Sequence, residues 1–311
     1  MNHQNNEELE TDKSGKIETI ANEVAQHYNS RPDLGLQKRK ESVILNLRSY
    51  NNWVKSILIN KYVQKNSVVL DIGCGKGGDL LKFGKKGIKN YIGADIASVS
   101  IEQARERYNS MRYKDFPAQF FVHDCYGKLL KPILPSNFSA DAISMQFCMH
   151  YAFETEEKVR MMLTNVSQNL NKGGHFFATI PNSNWIVKKI KNSNNLEFGN
   201  KVYKIRFETK DLFTIYGHKY YFELQDAIED CPEYLVHFPT FEKLAREYGL
   251  KLIFKMDFHN IYKNFSNVNY YNELLYRMNV ISEDTTSIAY DFDNNQWEAC
   301  GIYLAVAFEK V

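Results

Sequence analysis

The sequence predicts an α/β protein, a doubly wound and mostly parallel sheet that carries an antiparallel, strand-rich insertion. Three observations lead there. Short apolar runs alternate with amphipathic stretches at the spacing of βαβ crossovers. The first of these runs ends in a glycine cluster, Gly73-Cys-Gly-Lys-Gly-Gly-Asp79, of the kind that turns a buried strand into a helix. Beyond Pro181 the pattern changes, and Tyr and Phe crowd into residues 200–224 as two or three antiparallel strands.

Taken in order, residues 1–35 are polar and Asn- and Glu-rich, which predicts a disordered tail with a short helix over Ile17–Tyr28. Residues 36–311 then form one domain, with the insertion around 182–235. Val43, Ile44, Leu47, Trp53, Val54, Ile57 and Leu58 recur at helical intervals, giving one or two amphipathic helices over 41–62. Ser67–Ile72 is a β-branched run suited to a buried parallel strand, and a helix over Leu80–Lys86 follows the glycines. Strands at Lys89–Ala94, Ala118–His123, Ser139–Phe147 and His175–Ile180 alternate with helices at Ser98–Tyr108 and Glu156–Leu170, the latter stopping at Asn171-Lys-Gly-Gly174. A helix at Phe241–Tyr248, a strand at Leu250–Phe254 and a helix at Tyr270–Met278 precede a nearly all-apolar final strand, Ala299–Glu309, inside the sheet.

Composition narrows the class. At roughly 150 residues per domain, 311 residues make about two domains, or one large α/β domain with insertions. With 44% apolar residues, the chain can bury a sizeable core. No run approaches the ~18 apolar residues of a membrane span, and the first thirty residues lack an apolar h-region, so neither a membrane partner nor a secretory signal is expected. Five scattered cysteines without a CxxC spacing argue against a zinc ribbon and a disulfide framework, and so for cytosol or nucleus. The 39 Lys and Arg against 37 Asp and Glu leave a net charge of +2, which does not exclude an anionic partner. Clusters such as Lys38-Arg39-Lys40 read first as solvated faces.

The chemistry concentrates around the glycine loop. Asp71 stands two residues before Gly73, and Asp95 closes the second strand 22 residues after it. A carboxylate there accepts both hydroxyls of a ribose, and Asp124, at the third strand end, accepts from an exocyclic amine such as that of adenine. A local role stands beside each: Asp71 as a loop cap, Asp95 as a strand terminator, Asp124 as an Asx turn. Three acids at three successive strand ends favour a nucleoside cofactor, and a dinucleotide is disfavoured because its pyrophosphate would meet an acid-rich loop. Together these positions resemble the fingerprint of class I S-adenosylmethionine-dependent methyltransferases.

A narrower resemblance is carried by Tyr50-Asn-Asn-Trp-Val-Lys-Ser56, the unbroken stretch 71–79, Ser144-Met-Gln-Phe-Cys-Met-His-Tyr151, Pro232-Glu-Tyr-Leu-Val236 and Ile302–Glu309. These are similar to the eukaryotic mRNA cap guanine-N7 methyltransferases, from about residue 35 to the end. The resemblance implies transfer of a methyl group from S-adenosylmethionine, with S-adenosylhomocysteine as product and no metal, to N7 of the GpppN cap of nascent mRNA. It implies cofactor contacts at Lys55, Gly73, Asp79, Asp95, Asp124, Gln146 and Tyr151. It implies a cap side of Asn51, Asn52, Lys76, Lys82, Arg107, Phe147, His150, Glu233 and Tyr303, with Glu233, His150 and Tyr303 positioning the guanine. It further implies a monomer in the nucleus, with RNA guanylyltransferase or polymerase II as partners.

The residues suit those roles. One carboxylate, Glu233, can accept from both N1–H and the N2 amine of a guanine. Phe147, His150 and Tyr151 offer flat surfaces for stacking, and Lys76, Lys82 and Arg107 supply positive charge for a triphosphate. Each also has a structural reading: Phe147 and Tyr303 as core, Glu233 as an acid at a helix start after Pro232. Guanine N7 is a bare lone pair, so bond formation there removes no proton and needs no general base. Two other functions compete: a methyltransferase acting on another RNA or small-molecule acceptor, and a silent methyltransferase fold serving as a binding subunit. An eroded glycine loop would favour the silent subunit, whereas Asp71, Gly73, Gly75 and Asp95 all stand.

Overall fold

The computed structural model describes Ala25, Asn29 and residues 41–112, 114–282 and 292–311. The expected tail, the basic triplet 38–40 and the helix over Ile17–Tyr28 lie outside these, apart from Ala25 and, just past that helix, Asn29, both helical. The first long element is helix α1 (Leu45–Tyr62), which buries Leu47, Tyr50, Trp53, Val54, Ile57 and Leu58 on one stripe. The Trp53 indole donates to the Tyr271 carbonyl at 2.8 Å, so this large ring is buried with its polar atom paired.

The chain then alternates β1 (Val68–Ile72), α2 (Leu80–Lys86), β2 (Asn90–Asp95), α3 (Ser98–Ser110), β3 (Ala118–Val122), β4 (Ala140–Gln146), α4 (Glu156–Asn169) and β5 (Leu170–Pro181). Gly87 ends α2 in the left-handed conformation, φ 72°. At its start α4 is capped by Thr155, whose hydroxyl accepts from the Lys158 amide. Helix α5 (Ser183–Asn192) leads into β6 (Glu197–Gly199), β7 (Tyr203–Phe207), β8 (Lys219–Leu224) and β9 (Ile228–Tyr234). Then come α6 (Phe238–Glu247), β10 (Leu250–Asp257), α7 (Phe258–Phe265), α8 (Asn269–Arg277), α9 (Asn294–Cys300) and β11 (Tyr303–Lys310).

One seven-stranded sheet runs β10-β11-β5-β4-β1-β2-β3. Strands β3, β2, β1, β4 and β5 pair in parallel, and β11 lies antiparallel between β5 and β10. Alternate residues go to opposite faces: Val69, Phe177 and Ala305 join the core on one side, Leu70, Phe176 and Val306 the core on the other. Strand order reverses at β1/β4, and a crevice opens there at the carboxyl ends of the strands, where ligands of such sheets bind.

Several expected boundaries move. The glycines after α4 do not stop the chain, because Leu170 already pairs with Ala140 and β5 begins at once, across a register shift. Ala299 and Cys300 end α9 rather than opening the last strand; their burial against neighbouring helices accounts for their apolar character. The aromatic segment is a four-stranded antiparallel sheet, β6-β7-β8-β9, longer at both ends than 200–224. Glu233 consequently sits in a strand and not at a helix start.

Candidate active site

Gly73, Gly75 and Gly77 all have positive φ (69°, 51° and 68°), a conformation that only glycine adopts freely. The Gly73 amide donates to the Ala94 carbonyl, tying the loop to β2. Asp95 holds the next turn: its carboxylate accepts from the Gly75 amide at 2.8 Å and from the Ala97 amide at 2.9 Å. Burial nevertheless raises its pKa, with those amides opposing the rise.

Behind the loop, Asp71 accepts from the Tyr91 hydroxyl at 2.8 Å. Burial, and then the negative charge of Asp79, push its pKa up to about 7 against the pull of Tyr91, Ser144 and Lys55. Asp79 behaves oppositely. Burial alone would raise it, but the ammonium groups of Lys55 and Lys82 hold it well below the usual carboxylate range. Lys55 Nζ lies 2.9 Å from both Asp79 oxygens, and Lys82 Nζ lies 2.7 Å away. Lys82 also donates to Asn52 Oδ1 at 2.9 Å. One carboxylate therefore holds two cations that the resemblance assigns to different sides, Lys55 to the cofactor and Lys82 to the cap.

These groups border a cavity of about 510 Å³, within the size range of small-molecule sites. Asn52, Lys55, Gly73, Lys76, Asp79, Asp95, Arg107, Gln146, Phe147 and Tyr151 line it. A Cβ on Gly75 or Gly78, both lining residues, would meet nothing within 4 Å, so the loop leaves room for a ligand to pass close to the backbone. With Asp95 at the adjacent strand end, this cradle fits a nucleoside-bearing cofactor.

Other expected residues lie off the wall. Asp124 Oδ1 accepts from the amides of Tyr126 and Gly127, the Asx-type arrangement, while its neighbours His123 and Cys125 line the cavity. Asn51 Oδ1 is buried with no hydrogen-bond partner among the described residues. His150, Glu233 and Tyr303 are buried, packed directly behind lining rings: His150 stands 4.3 Å from Tyr151, and Tyr303 meets Phe147 edge-on at 5.0 Å. His150 Nε2 is 3.4 Å from Glu233 Oε1, and neither ring nitrogen has a hydrogen-bond partner among the described residues. Leaving such groups unpaired is costly, and a ligand would relieve it.

Phe147 has φ 58°, rare for a bulky residue, and is pinned there by hydrogen bonds from its amide to Thr179 O and Oγ1. Gln146 bridges Ser144 and Thr179. The sequence did not point to Tyr126, Tyr234, or the Glu154–Lys158 ion pair (2.5 Å), all of which line the cavity. A Glu and a Lys four residues apart at a helix start read as a solvated face. Among the described residues, no group of three or more His, Cys, Asp or Glu is placed to hold a metal, and no helix is long and apolar enough to cross a membrane.

Comparison with known proteins adds a family. Residues 11–311 match the family described as mRNA (guanine-N(7))-methyltransferase domain. The mRNA cap guanine-N(7) methyltransferase of Schizosaccharomyces pombe is 46% identical over 297 residues, 92% of this chain and 81% of that protein. That of Cryptococcus neoformans var. neoformans serotype D (strain B-3501A) is 43% identical over 93% of this chain, which spans only 41% of the fungal protein's length. Among solved structures, an S-adenosylmethionine-dependent methyltransferase from Clostridium acetobutylicum shares the fold, with a TM-score of 0.50 and 15% identity over 84% of this chain and 91% of that one.

Proposed function

Because the chain belongs to the mRNA (guanine-N(7))-methyltransferase family, we propose that it transfers a methyl group from S-adenosylmethionine to N7 of the guanine in the GpppN cap of mRNA, with S-adenosylhomocysteine as product. The observation that carries this reading is the placement of a buried His150, without a hydrogen bond among the described residues, beside the Glu233 carboxylate behind a glycine-loop cavity edged by Lys55, Lys76 and Arg107.

When bound, the cofactor supplies an electrophilic methyl on a sulfonium. The rest belongs to the chain. Gly73 and Gly75 would let the backbone approach the cofactor, Asp95 would accept from its ribose hydroxyls, Asp124 would accept from its exocyclic amine, and Gln146 and Tyr151 would contact it. Lys55 contributes through the Asp79 clamp. On the cap side, Asn51, Asn52, Lys76, Lys82 and Arg107 meet the triphosphate and ribose, while Phe147 and Tyr303 shape the wall. Glu233 accepts from the guanine N1–H and N2 amine, and His150 packs beside it. Since Glu233 and His150 stand one layer back, contact with them requires a side-chain shift in the Tyr151–Phe147 wall, of the kind common on binding.

No group is needed to take a proton from N7. The chain's contribution is in-line placement, which in favourable model systems supplies about 7–11 kcal/mol. A fixed carboxylate at the far edge of the purine adds to this by stabilising the positive charge that forms there. The reading puts the reaction on nascent transcripts in the nucleus, by a monomer working beside RNA guanylyltransferase or polymerase II; the family's role in mRNA supports it.

Glu233→Gln tests the assignment. We expect kcat/KM on GpppN-RNA to fall at least about 100-fold, the loss typical of one preorganised electrostatic partner. S-adenosylhomocysteine binding, followed by calorimetry, should stay at the wild-type level. Full turnover in the variant would remove Glu233 from the site.

A further inference from the structure

We propose that Tyr220 is a positioning residue that sets the plane of the Glu233 carboxylate and thereby the selectivity for guanine over purines lacking the 2-amine. The inference rests on the reading that Glu233 meets the guanine edge. Its own basis is the β8–β9 ladder, in which Tyr220 and Glu233 are directly paired across strands. Paired residues of an antiparallel ladder project to the same face, and here the phenol donates to Glu233 Oε2 at 2.5 Å.

Three features make this bond more than packing. Tyr220 is completely buried, and its ring sits 5.7 Å from Phe207, so the hydroxyl has little freedom to point elsewhere. Burial and the adjacent carboxylate also raise the phenol's pKa, which keeps it a donor. The two carboxylate oxygens thus become unlike: Oε2 is tied to the protein, while Oε1 faces His150 at 3.4 Å, beyond ordinary hydrogen-bond length. A carboxylate held at one oxygen cannot turn about its own axis, and a bidentate approach to N1–H and N2–H depends on that plane. Without the phenol, the carboxylate could still take one hydrogen bond from the purine, but the second would no longer be enforced.

The test compares GpppN-RNA with IpppN-RNA, whose inosine keeps N1–H and lacks the 2-amine, for wild type, Tyr220→Phe, Glu233→Gln and the double variant. Tyr220→Phe keeps the ring that packs on Phe207. It should lower kcat/KM on GpppN about tenfold, as expected for a hydrogen bond to a charged group, with little change on IpppN, so that the guanine/inosine ratio collapses. A merely structural role would lower both substrates equally and leave the ratio intact; that result would overturn the proposal. Adding Tyr220→Phe to Glu233→Gln should cost nothing further, since Tyr220 acts through Glu233, and an additional independent loss would also overturn it. If Glu233→Gln itself leaves the ratio at the wild-type level while Tyr220→Phe collapses it, the reading of Glu233 fails separately and the selectivity belongs to Tyr220 by another route.

Discussion

The two carboxylates beside the glycine loop show how much of this site is set one residue at a time. Asp79 is ionised because two ammonium groups converge on it, and Asp71, a few residues earlier and just as buried, is driven up to about 7. A carboxyl whose folded pKa exceeds its unfolded value binds its proton more tightly in the native state. Its contribution to stability is therefore complete below the unfolded value of about 3.9 and is lost as pH rises through about 7. Asp71→Asn should remove that loss: its Tm should exceed that of the wild type at about pH 8 and converge with it near pH 4, while S-adenosylhomocysteine binds more weakly. Melting curves across this range check the sign, and parallel curves for the two proteins would exclude Asp71 as the titrating group. Neither environment is written locally. Asp79 owes its state to Lys55, on a different helix, and Glu233 owes its orientation to Tyr220, on a neighbouring strand. The sequence supplies the acids, and tertiary pairing decides what each one is.

Among elements, the glycine loop was the most legible because its information is local. A buried strand, left-handed glycines and a helix start lie within a dozen residues. At Gly73 the constraint is tight as well as conformational, since a Cβ would fall 2.5 Å from Cys148 Sγ at φ 69°. Gly73→Ala should destabilise the fold by about 1–3 kcal/mol through overpacking and abolish S-adenosylhomocysteine binding; denaturant unfolding and calorimetry would separate the two effects. A variant that binds normally would show that the loop adapts. The βαβ strands were legible for a similar reason; the ends of β1 to β4 shift by one residue, whereas β5 starts five residues before His175. Strand β9 was not legible, because Glu229, Asp230 and Pro232 are poor strand formers; Cys231 to Tyr234 pair with β8, while Glu229 and Asp230 fall in a register shift. Helix α7 has Phe258, Ile261, Tyr262 and Phe265 at helical spacing, but it follows β10 without a break, so nothing in the sequence separates its start from the apolar strand before it. The starts of β5 and β11 moved because tertiary pairing in one case and burial in the other overrode the local signal, and α9 was not expected at all.

For the molecule as a whole, topology brings the pieces together. The strand order reverses at β1/β4, and the carboxyl ends of β1, β2 and β4 deliver the glycine loop, Asp95 and Gln146 to one crevice. Strand β11 enters antiparallel beside β5 and brings Tyr303 against Phe147. The insertion folds its buried face back so that Glu233 reaches His150. We propose that a cradle for a nucleoside cofactor and a purine-reading edge lie on the two sides of the Tyr151–Phe147 wall, which is the central claim. Its most direct test is transfer of labelled methyl from S-adenosylmethionine to three matched RNAs, ending in GpppN, in m7GpppN and without a cap. The account predicts label on the GpppN RNA alone. Equal label on all three RNAs, or none on any while S-adenosylhomocysteine still binds, would contradict it.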